Sequence, residues 1–471
     1  MSRRATTIVA WAIVAAAVAI RLFRADAQSL WYDEGTSAQL ATRSAAAIVA
    51  AAAGDIHPPL YYLLLAAWSR AFGHGVLALR ALSAVLGAAT VAATIAIGRR
   101  LGGRRVALVA GALAATSPYL IWYSQEVRMY VLAGFLGAAL VVLALADADA
   151  LVDDAPVPAS PPNRDAPRDA PRIPRTLLIA ALVTAALYTQ YLAGAAAVAI
   201  GGGAMALGWA RAFAPSRRRG GRPPWPSVAR WLAAMTIAAA LFVPWLARAW
   251  PVLRDWPALG APVSLAFVAR ETLATYAFGI KAPPEWRAWW PVLTAVAFVG
   301  VALAWWPGGV IALPGRRARR WASAVALWMA AAPPLLVYAA SLRRPAWNPK
   351  FIIAGAPGFE LLLALAVVGA AEVAAEIAGR HCPVGKRRTW TRRNTAAATS
   401  AVALALIAIP RLAVWHANAY DPAYQRDDYR GIAAEIAARA GPEDAVVLDA
   451  PTQVEVFGFY DRGAHATFPL P

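Results

Sequence analysis

Long apolar stretches recur along almost the whole of this chain and are separated by short polar segments. Several of them approach the ~20 residues that an α-helix needs to cross the hydrocarbon core of a bilayer. The pattern predicts eleven membrane-spanning helices, at 6–22, 76–98, 106–123, 129–146, 176–189, 191–210, 229–247, 290–310, 321–341, 351–376 and 395–415. We therefore predict an all-α polytopic membrane protein.

Two apolar segments admit a second interpretation. Residues 1–20 have the basic start and apolar run of a signal peptide, but they lack a convincing small-residue cleavage site, which favours a retained first helix. The segment His57–Gly73 is apolar enough to be helical. A full crossing there would move every later basic cluster to the other side, so we expect a partial or interfacial helix. The alternative is an ordinary spanning helix combined with another crossing that the pattern misses.

Composition and charge support a membrane class and set the orientation. Hydrophobic residues make up 60% of the chain and charged residues only 15%, whereas soluble proteins carry about 25% charged residues. The net charge of +19 does not indicate nucleic-acid binding, because the basic residues form short clusters between apolar spans. Such clusters stay cytoplasmic. We therefore predict a plasma-membrane (inner-membrane) protein with a cytoplasmic N-terminus and an outer C-terminus.

The chain divides into a transmembrane domain, 1–415, and an outer C-terminal segment, 416–471. Three loops of the first domain stand out: an outer loop with juxtamembrane helices, a Pro-, Ala- and Asp-rich cytoplasmic loop expected to be disordered, and an aromatic outer loop, at 23–75, 147–175 and 248–289. The C-terminal segment has helical spacing over 425–440, a strand-like run at 445–448 and alternation over 454–460. It predicts a small α/β unit, and its abrupt stop suggests an incomplete gene product.

The first candidate site is the pair Asp33-Glu34, which follows Trp31-Tyr32 directly after the first span. Aromatic and lipid surroundings raise the pKa of a carboxylate toward the working pH, which suits a general base. A solvated acidic pair in a loop is the simpler alternative.

The second candidate site places Asp55 and His57 before Pro58-Pro59, followed by the phenols of Tyr61 and Tyr62. The prolines fix the backbone and favour the start of a helix, so His57 would lie near a helix N-terminus, where anions are favoured. A helix start with a surface histidine is equally compatible with this pattern.

The third candidate site, Gln125, Glu126 and Arg128, lies between the third and fourth spans. Charges at a membrane boundary are costly unless they are paired or functional. The predicted topology puts this turn on the same face as Asp33. A simple pair of Glu126 with a snorkelling Arg128 is the alternative.

Basic residues also precede the tenth span, where Arg343, Arg344 and Lys350 break the positive-inside rule. Clustered cations suit a lipid-linked phosphate, although contact with lipid headgroups would explain them too. Glu360 lies within the same span and either pairs with a base or holds helices together. Tyr191 either lines the cavity or belongs to an interfacial aromatic belt.

In their order along the chain, these motifs resemble the C-type membrane glycosyltransferases. The resemblance rests on Asp33-Glu34, on His57-Pro58-Pro59-Leu60-Tyr61-Tyr62 and on Tyr123–Tyr130, and it covers most of residues 1–415. The chain is most similar to the bacterial protein-mannosyltransferase-like branch, which is related to the lipid A aminoarabinose transferases. It departs from the aminoarabinose branch at Gly35-Thr36, where an arginine would stand, and at Glu126, which substitutes for an aspartate.

The resemblance implies an inverting transfer of a sugar from a polyprenyl-phosphate donor to a lipid, glycan or protein hydroxyl on the outer face. Asp33 would be the base, and Glu34 would orient it or the acceptor. Donor and substrate binding would fall to His57, Tyr61, Tyr62, Gln125, Glu126, Arg128, Tyr191, Arg344 and Lys350. No cofactor is predicted with certainty, and no residue pattern supports a divalent metal.

Two other functions fit parts of the same pattern. A lipid-linked oligosaccharide polymerase or ligase also works at the outer face and would make products of many chain lengths. A lipid-sugar transporter would need charged or broken helices near mid-membrane, whereas the polar residues here gather at one predicted face.

Overall fold

The computed structural model describes residues 2–152, 173–213, 225–258, 260–305, 316–380, 382, 385–441, 443–450 and 453–470. This part of the chain is a polytopic bundle of helices with one small sheet. The helices are α1 Arg3–Leu22, α2 Tyr32–Leu40, α3 Ala45–Ala53, α4 Leu60–Phe72, α5 Val76–Ala115, α6 Pro118–Ser124, α7 Tyr130–Val152, α8 Arg175–Leu187, α9 Tyr191–Phe213, α10 Trp225–Asp255, α11 Leu265–Phe278, α12 Pro284–Arg287, α13 Trp290–Trp305, α14 Arg316–Ser341, α15 Ala356–Arg380, α16 Lys386–Tyr420, α17 Tyr429–Arg439 and α18 Val454–Asp461.

Within the described ranges, nine helices are long and apolar enough to cross a membrane. One of them, α5, contains the predicted span 76–98 and the first part of the span 106–123. The two are separated at Gly103, where φ is 76° and the backbone leaves the helical conformation. The predicted span 176–189 corresponds to the shorter apolar helix α8. The predicted span 106–123 is interrupted after Ala115, and the chain restarts at Pro118 as α6. Within the described residues, each of the eleven predicted spans therefore falls on helix, although the third is broken, the tenth begins in a 3₁₀ turn, and 306–310 of the eighth lie outside the described residues.

The loop 23–75 contains the predicted short helices, here α2, α3 and α4. The helix α4 has 13 residues, and at 1.5 Å per residue it is about 20 Å long, shorter than a bilayer core of about 30 Å. It begins after Pro58-Pro59, as the sequence indicates. Helix α2 begins one residue before Asp33 and carries both acids in its first turn, where negative charge is favoured.

The centre of the bundle is α15, which is preceded by a 3₁₀ turn at Pro349–Gly355 and packs against α5, α13, α14 and α16. Glu360 of α15 is fully buried and accepts a hydrogen bond from Arg411 of α16 at 2.7 Å. Arg411 also donates to the backbone carbonyls of Tyr276 and Ala277 in α11. Because burying an unpaired charge is very costly, this pair ties three helices together.

The predicted cytoplasmic loop 147–175 is shorter than expected at both ends. Helix α7 continues to Val152 and α8 begins at Arg175, while residues 153–172, where disorder was predicted, lie outside the described residues. Asp147 is buried inside α7 because Arg175 and Arg230 pair with its carboxylate, at 2.8 and 3.0 Å.

The C-terminal segment, 416–471, has the predicted helix (α17) and the predicted strand, β1 Ala445–Leu448. The alternating run 454–460 is a helix, α18, although such alternation is typical of a strand. Its adjacent residues Val456 and Phe457 are both buried, which helical packing permits and a half-exposed strand does not. A second strand, β2 Ala466–Pro469, pairs parallel with β1.

Candidate active site

A cavity of about 350 Å³ lies where the loop 23–75, the turn between α6 and α7, the segment before α15 and the C-terminal segment meet. It is lined by Trp31, Asp33, Trp122, Tyr123, Glu126, Tyr130, Ile280, Lys281, Asn348, Lys350, Gln425, Arg426 and Asp427. Three predicted site residues, Asp33, Glu126 and Lys350, are therefore brought to one cavity although they are far apart in sequence.

Asp33 presents its carboxylate from the first turn of α2. Its side chain is 19% exposed, and its Oδ2 lies 3.4 Å from Nη2 of the buried Arg128. The same guanidinium donates through Nη1 to the backbone carbonyl of Asp33 at 3.2 Å. Arg128 therefore fixes both the backbone and the carboxylate of the predicted base.

A short chain of hydrogen bonds extends from Arg128 to the second motif. Arg128 Nη2 lies 3.3 Å from Nε2 of His57, and His57 Nδ1 lies 3.1 Å from Oδ2 of Asp55. Burial lowers the pKa of His57, and the charge of Arg128 lowers it further, although Asp55 acts in the opposite direction. A neutral imidazole suits this chain, because its Nε2 then accepts from Arg128 while Nδ1–H donates to Asp55.

Glu34 points away from the cavity into the protein and is fully buried. It accepts hydrogen bonds from Arg80, at 2.9 and 2.6 Å, from Arg426 at 2.9 Å and from the backbone N–H of Val127 at 2.8 Å. Burial favours a higher pKa for Glu34, but Arg80 and Arg426 together bring it below its usual value. In this position Glu34 anchors α2 and does not line the cavity.

Within the third motif the two remaining side chains have different surroundings. Glu126 lines the cavity and bonds to Arg426 at 3.0 Å, and burial raises the pKa of its carboxyl despite that partner. Gln125 instead donates to the backbone carbonyls of Arg21 and Phe23, at 3.0 and 3.2 Å. Gln125 thus joins the turn after α6 to the end of α1.

The free positive charge of the cavity comes from two lysines, Lys281 and Lys350. Lys350 lies with its Nζ 5.4 Å from the ring centre of Tyr130. Among the residues that the structure describes, neither ammonium group has a carboxylate within ion-pair distance. Lysine is rare in this chain, and that rarity is the one sequence signal that singles out Lys281.

Four further predicted side chains lie outside the lining of this cavity, as do Glu34, His57, Gln125 and Arg128 described above. Arg344 is exposed and donates to the carbonyls of Leu253 and Arg254, where it caps the C-terminal end of α10. Tyr191 accepts a hydrogen bond from Trp245 at 3.0 Å. The other two, Tyr61 and Tyr62, are buried in α4, the first against Ser83 and the second within electrostatic range of Arg128.

The structure adds residues that sequence reasoning missed. Arg80 and Arg426 are the partners of Glu34, and Arg426 also pairs with Glu126. Arg80 lies inside the predicted span 76–98, where a charged side chain is itself a signal, whereas no local pattern marks Arg426. Their roles follow only from contacts across the folded chain.

The side chains of the candidate site do not support metal coordination. The described part of the chain has no group of three His, Cys, Asp or Glu side chains arranged to hold a metal ion. Glu34 and Glu126 are bonded to arginines, so in this arrangement neither carboxylate is free to bind a divalent ion.

Comparison with family models finds no match, and none of the curated proteins matches either. Solved structures do match over nearly the whole chain. ArnT from Cupriavidus metallidurans in the apo state is 14% identical, with a TM-score of 0.56 over 99% of this chain and 86% of that chain. The same protein bound to undecaprenyl phosphate gives a TM-score of 0.54 over 97% of this chain and 85% of that one, also at 14% identity.

An archaeal protein gives a weaker likeness. The oligosaccharyltransferase AglB from Archaeoglobus fulgidus, in complex with an inhibitory peptide and a dolichol-phosphate, is 10% identical, with a TM-score of 0.51. The match covers 98% of this chain but 64% of that one. At these identities the likeness concerns the fold alone. The chain therefore has the polytopic fold that these C-type membrane glycosyltransferases share.

Proposed function

We propose that this protein is an inverting glycosyltransferase that moves a sugar from a polyprenyl-phosphate donor to an acceptor hydroxyl. The observation that carries the proposal is the cavity itself. Asp33, a carboxylate held by a buried arginine, shares it with Lys281 and Lys350, two ammonium groups that have no carboxylate partner among the described residues. A base for a hydroxyl and cations for a phosphate are the two requirements of this transfer.

In the proposed reaction, the donor phosphate binds Lys281 and Lys350, and the acceptor hydroxyl lies against Asp33. Asp33 accepts the hydroxyl proton while the acceptor oxygen forms a bond to the anomeric carbon from the face opposite the phosphate. The bond from that carbon to the phosphate oxygen breaks, and polyprenyl phosphate leaves. Positive charge placed where the phosphate charge develops is commonly worth about 3 kcal/mol per good donor.

Arg128 has a different task in this mechanism from the phosphate binding that its motif suggested. Its side chain is 97% buried, and its guanidinium is bonded to Asp33 and His57. We assign it to the orientation of Asp33, and we assign the donor phosphate to the two lysines. We further propose that this site lies on the outer face of the plasma membrane and that the N-terminus lies in the cytoplasm, an orientation that the basic clusters between the spans support.

Two of the solved structures with this fold support the choice of donor lipid, because one holds undecaprenyl phosphate and another dolichol-phosphate. The proposed contacts involve only the donor phosphate and the acceptor hydroxyl, so the donor sugar is a hexose or a pentose. Lipid, glycan and protein acceptors all supply the hydroxyl that Asp33 requires.

The test supplies the purified protein in lipid nanodiscs with radiolabelled polyprenyl-phosphate hexoses and pentoses and with membrane acceptors. We expect one sugar to be added per acceptor, whereas a ladder of products would indicate a polymerase. Asp33→Asn should lower transfer at least about 100-fold, because the amide cannot take the proton. Normal transfer by that variant would contradict the assignment of the base. The matched control is Asp255→Asn, which changes a carboxylate that is 71% exposed at the end of α10.

A further inference from the structure

The C-terminal segment is bonded to the loop that carries Asp33 at several points. Ser29 donates to the carbonyl of Asp427 at 2.8 Å and accepts from the N–H of Tyr429 at 3.1 Å. The N–H of Leu30 donates to the hydroxyl of Tyr460 at 2.7 Å. Ser29 and Leu30 come shortly before α2, so these contacts hold the chain at the start of that helix.

Arg426 makes the most central of these contacts. Its side chain is 10% exposed, and it bridges Glu34 at 2.9 Å and Glu126 at 3.0 Å. Its guanidinium carbon also lies 4.8 Å from the ring centre of Trp122 and 5.9 Å from that of Trp31. One side chain of the C-terminal segment therefore joins the first motif to the third.

The bonding of Arg426 distinguishes it from the lysines of the cavity. Two carboxylates neutralise its charge and occupy its two terminal nitrogens, which leaves it poorly suited to bind a phosphate. Its two partners, Glu34 and Glu126, are close neighbours in sequence of the residues that meet at the reaction centre, Asp33 and Arg128. Displacing either partner would displace the carboxylate or the guanidinium beside it.

The C-terminal segment also approaches the backbone of α2 closely, at Gly35. A Cβ atom added to Gly35 would lie 2.3 Å from Cβ, 2.5 Å from Cα and 2.8 Å from N of Val456 in α18. Two of these atoms belong to the backbone and cannot rotate away, so the two helices would have to separate. Glycine at this position is what allows α18 to pack directly against the helix that carries Asp33.

We propose that the C-terminal segment is a working part of the active site and that Arg426 is a positioning residue, which holds Asp33 and Arg128 in their reactive arrangement. This inference rests on the proposed transferase function for its kinetic consequences. The other part of the proposal, that the C-terminal segment restrains α2, does not depend on which reaction the protein catalyses.

The kinetic test compares Arg426→Gln and Arg426→Lys with the wild-type protein, using kcat and the KM for the polyprenyl-phosphate donor. A misplacement of about 1 Å costs roughly 100-fold in rate, so Arg426→Gln should lower kcat by at least about 10-fold with little change in the donor KM. Arg426→Lys keeps the charge and should recover part of the loss. An unchanged kcat, or a raised KM at unchanged kcat, would overturn the positioning role. The matched control is Arg439→Gln, because Arg439 lies on α17 with its side chain 80% exposed.

The structural test follows hydrogen exchange of the α2 amides in Arg426→Gln and Gly35→Ala. Both variants should exchange faster than the wild type over 32–40, whereas Gly458→Ala should not, since a Cβ there meets no atom within 4 Å. Unchanged exchange in both variants would overturn the inference even in an active enzyme. If the wild-type protein transfers no sugar, the proposed function fails, and the exchange result still decides whether the segment restrains α2.

Discussion

The replacement of Glu34 by glutamine probes the ion-pair cluster that anchors α2. In the wild-type protein, Oε1 accepts from Arg80 Nε and from the N–H of Val127, while Oε2 accepts from Arg80 Nη2, Arg426 Nη1 and the N–H of Trp31. Glutamine keeps one oxygen and puts an amide nitrogen in place of the other. Whichever way the amide turns, at least two buried N–H groups lose their acceptor.

The size of the effect follows from this geometry. A buried donor left without a partner costs about 1–3 kcal/mol, and breaking a buried ion pair on one side costs about 3–5 kcal/mol. Because two arginines face the same lost charge, we expect Glu34→Gln to lower the free energy of unfolding by about 3–5 kcal/mol. That is a large share of the about 5–15 kcal/mol that stabilises a typical protein.

The assay is thermal unfolding of the purified protein in detergent, followed by tryptophan fluorescence, with sugar transfer measured on the same sample. Glu34→Gln should lower the unfolding midpoint by several degrees and reduce transfer. The matched control is Glu435→Gln on α17, where the carboxylate is 61% exposed and surface ion pairs contribute little. If both variants unfold at the wild-type temperature, the cluster around Glu34 does not anchor α2 and the reasoning fails.

Two further predictions concern the cavity. The lowered pKa of His57 means that its neutral form supports both the fold and Asp33 above the ordinary histidine value of about 6.5. That support is lost as the pH falls from about 6.5 through the lowered pKa of His57, so transfer and stability should decline together. His57→Gln should remove this decline at acid pH. A pH profile of transfer identical to that of the wild type would contradict the role of His57. Lys350→Met, alone and with Lys281→Met, should weaken donor binding, measured as a rise in the donor KM of at least about 10-fold, and an unchanged KM would exclude a phosphate role.

The sequence was sufficient for the membrane-spanning architecture, because that information is local. A run of apolar residues long enough to cross a bilayer forms a helix wherever it lies, since its backbone polar groups have no water to bond. The short helices of the loop 23–75 and the strand β1 were also predicted from local pattern. The alternation of the run 454–460 did not reveal its helix, because alternation cannot tell a short strand from a helix that buries two adjacent residues.

The sequence also points to three residues that the structure brings to one cavity. Asp33 is predicted as a base, Glu126 as a costly charge at a membrane boundary and Lys350 as a cation for a phosphate, and all three line this cavity. Arg344 is predicted by the same argument as Lys350, but it caps the end of α10. A charge that satisfies free carbonyls and a charge that binds a substrate are indistinguishable in sequence, because both are simply basic residues beside an apolar run.

The residues alone thus determined which segments enter the membrane and which acids and bases stand at their ends. Only the tertiary structure decided the partners: that Glu34 turns inward to Arg80, that Lys281 joins Lys350, and that Arg426 reaches back to the first loop from the other end of the chain. Hydropathy and periodicity act over a few turns of helix, whereas these contacts join segments far apart in sequence. Their energies depend on burial and on direction, which arise only when the helices pack.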